Sequence, residues 1–342
     1  MRYITATRRS LLRIRVILPA VLLLALALYL LVALAMVYEA TRPGQRQPFD
    51  AYPNDFALAY EDVSFTPRNG HLKLEGWLLT GSPGSPYLIF VHGIDSQRSG
   101  ADAVELASRL VNEAGYNVLL FDLRAHGTSE GNRVTAGELE RYDVLGAYDF
   151  LLSRGAEPGQ VGLIGRSYGA GIAIMAAALE PGIAAVVADS TFSSVEDKAA
   201  HEIALRTPMP KALVPIFTPP ARLLANLLYG IDLGDLKPER DVARLQYPVL
   251  IIHGEADTRT PVPQGRRVYA AAPDGSELWT PPGVEHTQAF RTYPDEYVQR
   301  VEAYLGSRFA GKAASRAPQA SEAHEMIVVS LSFTTLVKRP AL

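Results

Sequence analysis

Apolar and polar positions divide the chain into distinct regimes. From Val16 to Val37 there are 22 residues without a charge, dominated by Leu, Ala and Val. From Tyr60 to Gly311, short β-prone runs alternate with helical periodicities. The strand candidates are Leu72–Leu79, Tyr87–His92, Val118–Asp122, Val161–Ile164, Ala185–Ala188, Val249–His253 and Glu277–Thr280. Several are almost wholly apolar, as strands covered on both faces are. Helical spacing of apolar residues predicts Ala101–Ala114, Ala136–Arg154, Tyr168–Leu179, Pro263–Ala271 and Pro294–Arg308. Such alternation predicts an α/β fold, a mostly parallel central sheet with helices on both faces. Between Ser194 and Val249 the rhythm breaks. Prolines at 208, 210, 215, 219 and 220 divide a stretch with no strand signal into short pieces, and a helix such as Arg222–Tyr229 is expected within it. An insertion of that length between sheet strands is expected to be a helical cap over about 195–245.

The Val16–Val37 run is long enough, at about 1.5 Å per residue, to cross a hydrocarbon core of about 30 Å. Arg8, Arg9, Arg13 and Arg15 precede it, and Glu39 is the first charge after it. That asymmetry puts the N-terminus in the cytoplasm and the rest on the extracytoplasmic side. Ala33-Leu34-Ala35 fits a cleaved signal sequence, but the run exceeds an ordinary signal core, so an uncleaved anchor over residues 1–40 is favoured. Residues 41–59, with three prolines, are expected to be a linker, 60–311 the main domain, and 312–342 a tail in which Met326–Val337 is apolar and β-prone.

Composition removes whole classes. There is no cysteine, hence no disulfide framework, thiolate metal site or cysteine nucleophile. A net charge of −3 supplies no basic field for nucleic acid. The seven histidines, at 71, 92, 126, 201, 253, 286 and 324, show no H-E-x-x-H spacing: His201-Glu202 begins one and Leu205 ends it. No metal and no cofactor are expected.

One pentapeptide carries chemistry. The β-prone run Val161–Ile164 leads into Gly165-Arg166-Ser167-Tyr168-Gly169, followed by a small, apolar helix start. G-x-S-x-G between a strand and a helix is the context of a nucleophile elbow: a sharp turn exposes the serine and leaves no room for side chains at 165 and 169. The helix N-terminus behind Ser167 favours developing negative charge, and the Tyr168 amide becomes an oxyanion donor. His92-Gly93-Ile94 ends an earlier strand, where the Ile94 amide suits the second donor. Asp257 follows a later strand in His253-Gly254-Glu255-Ala256-Asp257, and His286 follows the last in Gly283-Val284-Glu285-His286. Glu255 and Asp189 are reserve acids. His92 and His253, at strand ends, are expected to be structural, His71 solvated, and His126 a brace for the site.

With these residues in order Ser167, Asp257, His286, the chain resembles the alpha/beta-hydrolase superfamily over about Tyr60–Phe309. It is similar to membrane-anchored serine hydrolases of the lysophospholipase and monoacylglycerol-lipase-like kind. The D-x-R-x-H-G-x-S-x-G loop of that group is matched by Asp122, Arg124, His126, Gly127, Ser129 and Gly131, whereas Ala170 replaces a usual glycine. The resemblance implies Ser167 as nucleophile, Asp257 as acid, His286 as base and a cap in the insertion. The function expected is hydrolysis of carboxylic esters, lipidic or other apolar acyl esters, by a protein held to a membrane through its N-terminal helix. A peptidase or amidase, an acyltransferase using the same residues, and a non-catalytic hydrolase-like binding protein are the alternatives.

Overall fold

The computed structural model describes residues 2–206 and 209–314. Eight strands form one sheet: β1 (Glu61–Phe65), β2 (Leu74–Leu79), β3 (Tyr87–Val91), β4 (Asn117–Phe121), β5 (Val161–Arg166), β6 (Ile183–Asp189), β7 (Leu250–Ile252) and β8 (Glu277–Trp279). Their spatial order is β1-β2-β4-β3-β5-β6-β7-β8. β2 pairs antiparallel with β1 and β4, and every pair from β4 to β8 is parallel. The helices are α1 (Arg2–Thr41), α2 (Ala101–Asn112), α3 (Glu140–Ser153), α4 (Tyr168–Ala177), α5 (Val195–Arg206), α6 (Val214–Tyr229), α7 (Pro238–Val242), α8 (Pro263–Ala271), α9 (Ala289–Thr292) and α10 (Pro294–Ala314).

Two apolar cores lie on the two faces of the sheet. One contains Ile89, Leu119, Leu163 and Val186 with α3 and α4. The other contains Leu88, Leu120, Ile164 and Val187 with α2 and α10. Alternate residues of the same strands feed opposite cores, as the period of two requires. The mixed sheet with helices on both faces is the alpha/beta-hydrolase fold.

All seven strand candidates form strands. The strand that periodicity misses is β1, Glu-Asp-Val-Ser-Phe, which buries Val63 and Phe65 and leaves its charged residues outside at the sheet edge. The insertion departs from its expected fragmentation, because α6 runs through Pro219 and Pro220. Pro215 is harmless in the first turn, where amides have no helical acceptor. Pro220 deprives the Ile216 carbonyl of its usual i+4 donor, and the Tyr29 hydroxyl of α1 supplies one at 2.8 Å.

In the 41–59 stretch, expected to be a linker, Phe49 lies against the body. The Arg98 guanidinium sits 4.6 Å from the Phe49 ring centroid and 4.7 Å from that of Trp77. The β-prone Met326–Val337 segment and His324 lie outside the described residues.

Candidate active site

The site sits at the C-terminal edge of the parallel strands, where loops after β3, β5, β7 and β8 converge. Ser167 follows β5 with φ 54° and ψ −114°, a backbone region that disfavours an L side chain. Its amide donates to the Asp189 carbonyl at 2.7 Å, which ties the strained turn to β6. The neighbouring glycines permit it. A Cβ at Gly165 would collide with the backbone of Gly169 and Ala170, and one at Gly169 with the carbonyls of Val91 and His92. Tyr168 opens α4, so its amide has no acceptor within the helix.

Ser167 Oγ lies 2.7 Å from His286 Nε2, and His286 Nδ1 lies 2.7 Å from Asp257 Oδ2. The carboxylate can only accept, so Nδ1 carries a proton and Nε2 is left to accept the serine hydroxyl. Asp257 is fully held. Its Oδ1 accepts the amides of Arg259 at 3.0 Å and Thr260 at 2.7 Å, and His253 Nε2 lies 3.4 Å from Oδ2. Burial alone would raise this carboxyl, but the bonds from His253, His286 and Thr260 outweigh it and hold the group well below the usual carboxylate range.

The second amide candidate, Ile94, lines the same cleft as Ser167 and His286. An added Cβ on Gly93 would come within 3.5 Å of Ser167 Cβ, so the His92-Gly93-Ile94 turn passes directly over the serine. His92 anchors that turn: Nδ1 donates to the Gly93 carbonyl at 2.7 Å, and Nε2 accepts the Leu123 amide at 3.0 Å. Burial, with His126 beside it, pushes the imidazole down to about 3, so it stays neutral at ordinary pH. The His126 ring is 5.0 Å from that of His92, and its Nδ1 meets the Arg124 carbonyl at 2.8 Å.

The loop after β4 is built around two buried ion pairs, Arg98 with Asp122 and Arg124 with Asp143. Asp122 also accepts the Thr128 amide at 2.9 Å, and a Cβ on Gly127 would strike its carboxylate. The D-x-R-x-H-G-x-S-x-G segment is therefore a brace beneath the His92 turn rather than a source of reacting groups.

The reserve acids lie elsewhere. Glu255 is exposed. Asp189 is buried behind the site, where its carboxylate accepts from Ser190 Oγ at 3.0 Å and the Tyr297 hydroxyl at 3.3 Å; burial raises it despite Arg166. Two side chains without a sequence signal secure the histidine loop. Ser190 Oγ accepts the Thr287 amide at 3.0 Å, and Arg166 donates to the Thr287 carbonyl. Thr287 has φ 57°, so the residue after His286 is pinned at both ends in a left-handed conformation. His201 lies on α5, with Nε2 3.0 Å from the Thr258 carbonyl, and Lys198 of the same helix donates to Thr260 Oγ1 at 2.8 Å. The insertion thus touches the segment that directly follows Asp257.

The cleft over Ser167 has a volume of about 450 Å³, and Phe90, Ile94 and Ala103 contribute apolar wall. Arg166, Arg259 and Arg291 and the carboxylates of Asp50 and Asp102 line its rim. Among the described residues no cluster of His, Asp and Glu could hold a metal ion.

Comparison with known proteins agrees with this architecture. Residues 47–209 match the family model of X-Pro dipeptidyl-peptidases of the S15 family, a span that contains Ser167 and ends before Asp257 and His286. The solved esterase Pf2001 of Pyrococcus furiosus superposes with a TM-score of 0.64 at 26% identity, covering 79% of this chain and 98% of that one. The chain is 26% identical to the uncharacterized protein YqkD of Bacillus subtilis over 56% of its own length and 63% of the relative's. It is 27% identical to the lysophosphatidylserine lipase ABHD12 of Danio rerio, over 56% of this chain and 49% of that protein. The aligned part therefore spans about half to two thirds of these two relatives. Fold and comparisons together support a member of the alpha/beta-hydrolase superfamily.

Proposed function

We propose that the protein is a serine hydrolase that cleaves carboxylic esters through an acyl-enzyme, with Ser167, His286 and Asp257 as its triad. The observation that carries this reading is the unbroken hydrogen-bond chain from Ser167 Oγ through both nitrogens of His286 to Asp257. Ser167 Oγ attacks the ester carbonyl as His286 Nε2 takes its proton; the amides of Tyr168 and Ile94 hold the oxyanion. The intermediate collapses as His286 protonates the leaving alcohol. Water, deprotonated by the same nitrogen, then releases the acid and restores Ser167. Asp257 keeps the imidazole in the required tautomer and stabilises its cation. Each oxyanion donor contributes about 3 kcal/mol to the barrier reduction.

The substrate class we infer is an apolar acyl ester met at a membrane. In support stand the apolar α1, long enough to cross a bilayer, and the lipase among the relatives; Phe90, Ile94 and Ala103 give the otherwise polar cleft one apolar patch. In this reading α1 is an uncleaved anchor with a cytoplasmic N-terminus, and residues beyond Glu39 lie on the extracytoplasmic side. A chain-length series of p-nitrophenyl esters, with the anchored enzyme and Ser167→Ala, tests the proposal. Turnover should rise toward longer chains and vanish in the variant. Preference for short soluble esters contradicts the lipidic reading. The match to a peptidase family favours amide cleavage as the second reading, and hydrolysis of an X-Pro p-nitroanilide exceeding that of every ester makes it the correct one.

A further inference from the structure

The cap helix α6 carries an apolar face that no part of the described structure covers. Ile216 is 53% exposed, Leu223 60% and Leu227 70%. These three, with Pro219, recur at i, i+3, i+7 and i+11, and so form one stripe on a helix of 16 residues. Leu213 and Leu228, also exposed, widen it. A patch of this kind on a soluble body marks an interaction surface.

The position of α6 on α1 identifies the occupant. The Tyr29 ring packs tilted against Phe217, with centroids 5.3 Å apart, and its hydroxyl donates to the Ile216 carbonyl. Ala33, Met36 and Val37 of α1 are buried against the body, whereas Leu30, Leu31 and Leu34 are exposed beside them. Tyr29 lies eight residues inside the end of the apolar run at Val37, which is about 12 Å along the helix. A bilayer that takes up the run from Val16 to Val37 therefore reaches the first turns of α6. The satisfied carbonyl fits that setting: opposite Pro220 it would otherwise lack a donor at a depth where water is absent.

We propose that α6 lies in the same bilayer leaflet that α1 crosses, with Ile216, Leu223 and Leu227 among the lipid acyl chains. The cap is then a second, monotopic membrane contact, continuous with the apolar surface of α1. It is joined to the site through α5, whose Lys198 and His201 bond Thr260 and the Thr258 carbonyl beside Asp257. The hydrolase takes its ester from the leaflet, not from bulk water. This inference rests on reading α1 as an uncleaved span.

The absence of cysteine makes site-specific labelling direct. Single variants Leu223→Cys and Leu227→Cys on α6, Leu23→Cys on α1, and Asp274→Cys in an exposed loop carry an environment-sensitive fluorophore. The full chain is reconstituted in phosphatidylcholine vesicles with and without doxyl-labelled lipid. We expect lipid quenching at 223, 227 and 23 and none at 274. Quenching at 23 alone overturns the inference and leaves the anchor intact. Quenching at none of the four positions contradicts the anchor reading itself, and the inference falls with it. Shielded but unquenched labels at 223 and 227, with a dimer by mass, give the face to a second copy and also overturn it. A functional arm uses Leu223→Asp/Leu227→Asp, both outside the catalytic machinery. Hydrolysis of a vesicle-borne long-chain ester should fall at least several-fold, with a soluble short ester cleaved at the unaltered rate. Equal rates on both substrates contradict the proposal.

Discussion

His253 Nε2 lies 3.4 Å from Asp257 Oδ2, the same carboxylate oxygen that receives His286 Nδ1 at 2.7 Å. His253 Nε2 also contacts the Thr260 carbonyl at 2.6 Å, so it carries the proton. The acid is thus bonded from the core side as well as from the site side. Asp257→Asn keeps the size of the side chain but removes its charge and offers His286 the wrong tautomeric partner. We expect kcat to fall about 10⁴-fold with little change in KM. Steady-state kinetics on any ester that the wild type turns over, beside a circular-dichroism melt, separates this from unfolding.

His92 is expected to matter without reacting. Its two ring bonds join the Gly93 carbonyl to the Leu123 amide, and nothing apolar replaces them. His92→Leu should cost about 1–3 kcal/mol of stability through the unpaired backbone groups. Because burial pushes this imidazole to about 3, no pH step near neutrality should disappear with it. Denaturant melts and a pH–rate profile of the variant check both halves.

Gly169 is fixed by close approach. A methyl there meets the carbonyls of Val91 and His92, backbone that cannot step aside without moving the oxyanion turn. Gly169→Ala should lose activity and about 3 kcal/mol of stability, the upper end for overpacking. Gly306, where an added Cβ meets nothing within 4 Å, is the control: Gly306→Ala in the middle of α10 should be stabilising by up to about 1 kcal/mol. Thermal melts of the pair decide.

Acid should loosen the cap before the core. Burial alone would raise Glu202, but Lys198 and Arg259 overcome it and hold the carboxyl down at about 2. A folded value below the unfolded one contributes stability that is complete above the ordinary Glu range and is lost as pH falls through it toward 2. The protection factors of the α5 amides, which correct for the intrinsic pH dependence of exchange, should therefore fall between about pH 5 and pH 2–3, through the ordinary carboxyl range. In Glu202→Gln that fall should be absent, with α5 less protected at neutral pH.

The legible part of this protein is local. Gly165, Ser167 and Gly169 mark a strand–turn–helix together with the β-prone run before them and the small apolar run after them, and Asp257 and His286 each follow a predicted strand. Their meeting at 2.7 Å depends on the parallel sheet that the alternation implies. Arg98, Arg166, Ser190 and His253 were not legible as site supports, because each works through a partner 7 to 121 positions distant in sequence or set by the sheet order. β1 escaped because a half-polar strand of five residues at an edge borrows its pairing from β2. The extent of α6 escaped for a related reason: its prolines argue against a helix until the Tyr29 hydroxyl supplies the donor that Pro220 lacks.

We propose above all that Ser167 is an activated nucleophile. A fluorophosphonate probe reacts with such a serine, and mass spectrometry of the digest locates the adduct. We expect one adduct, on the peptide containing Ser167, abolished in Ser167→Ala and strongly slowed in His286→Ala. Folded wild-type protein left unlabelled, or labelled at another serine, contradicts it.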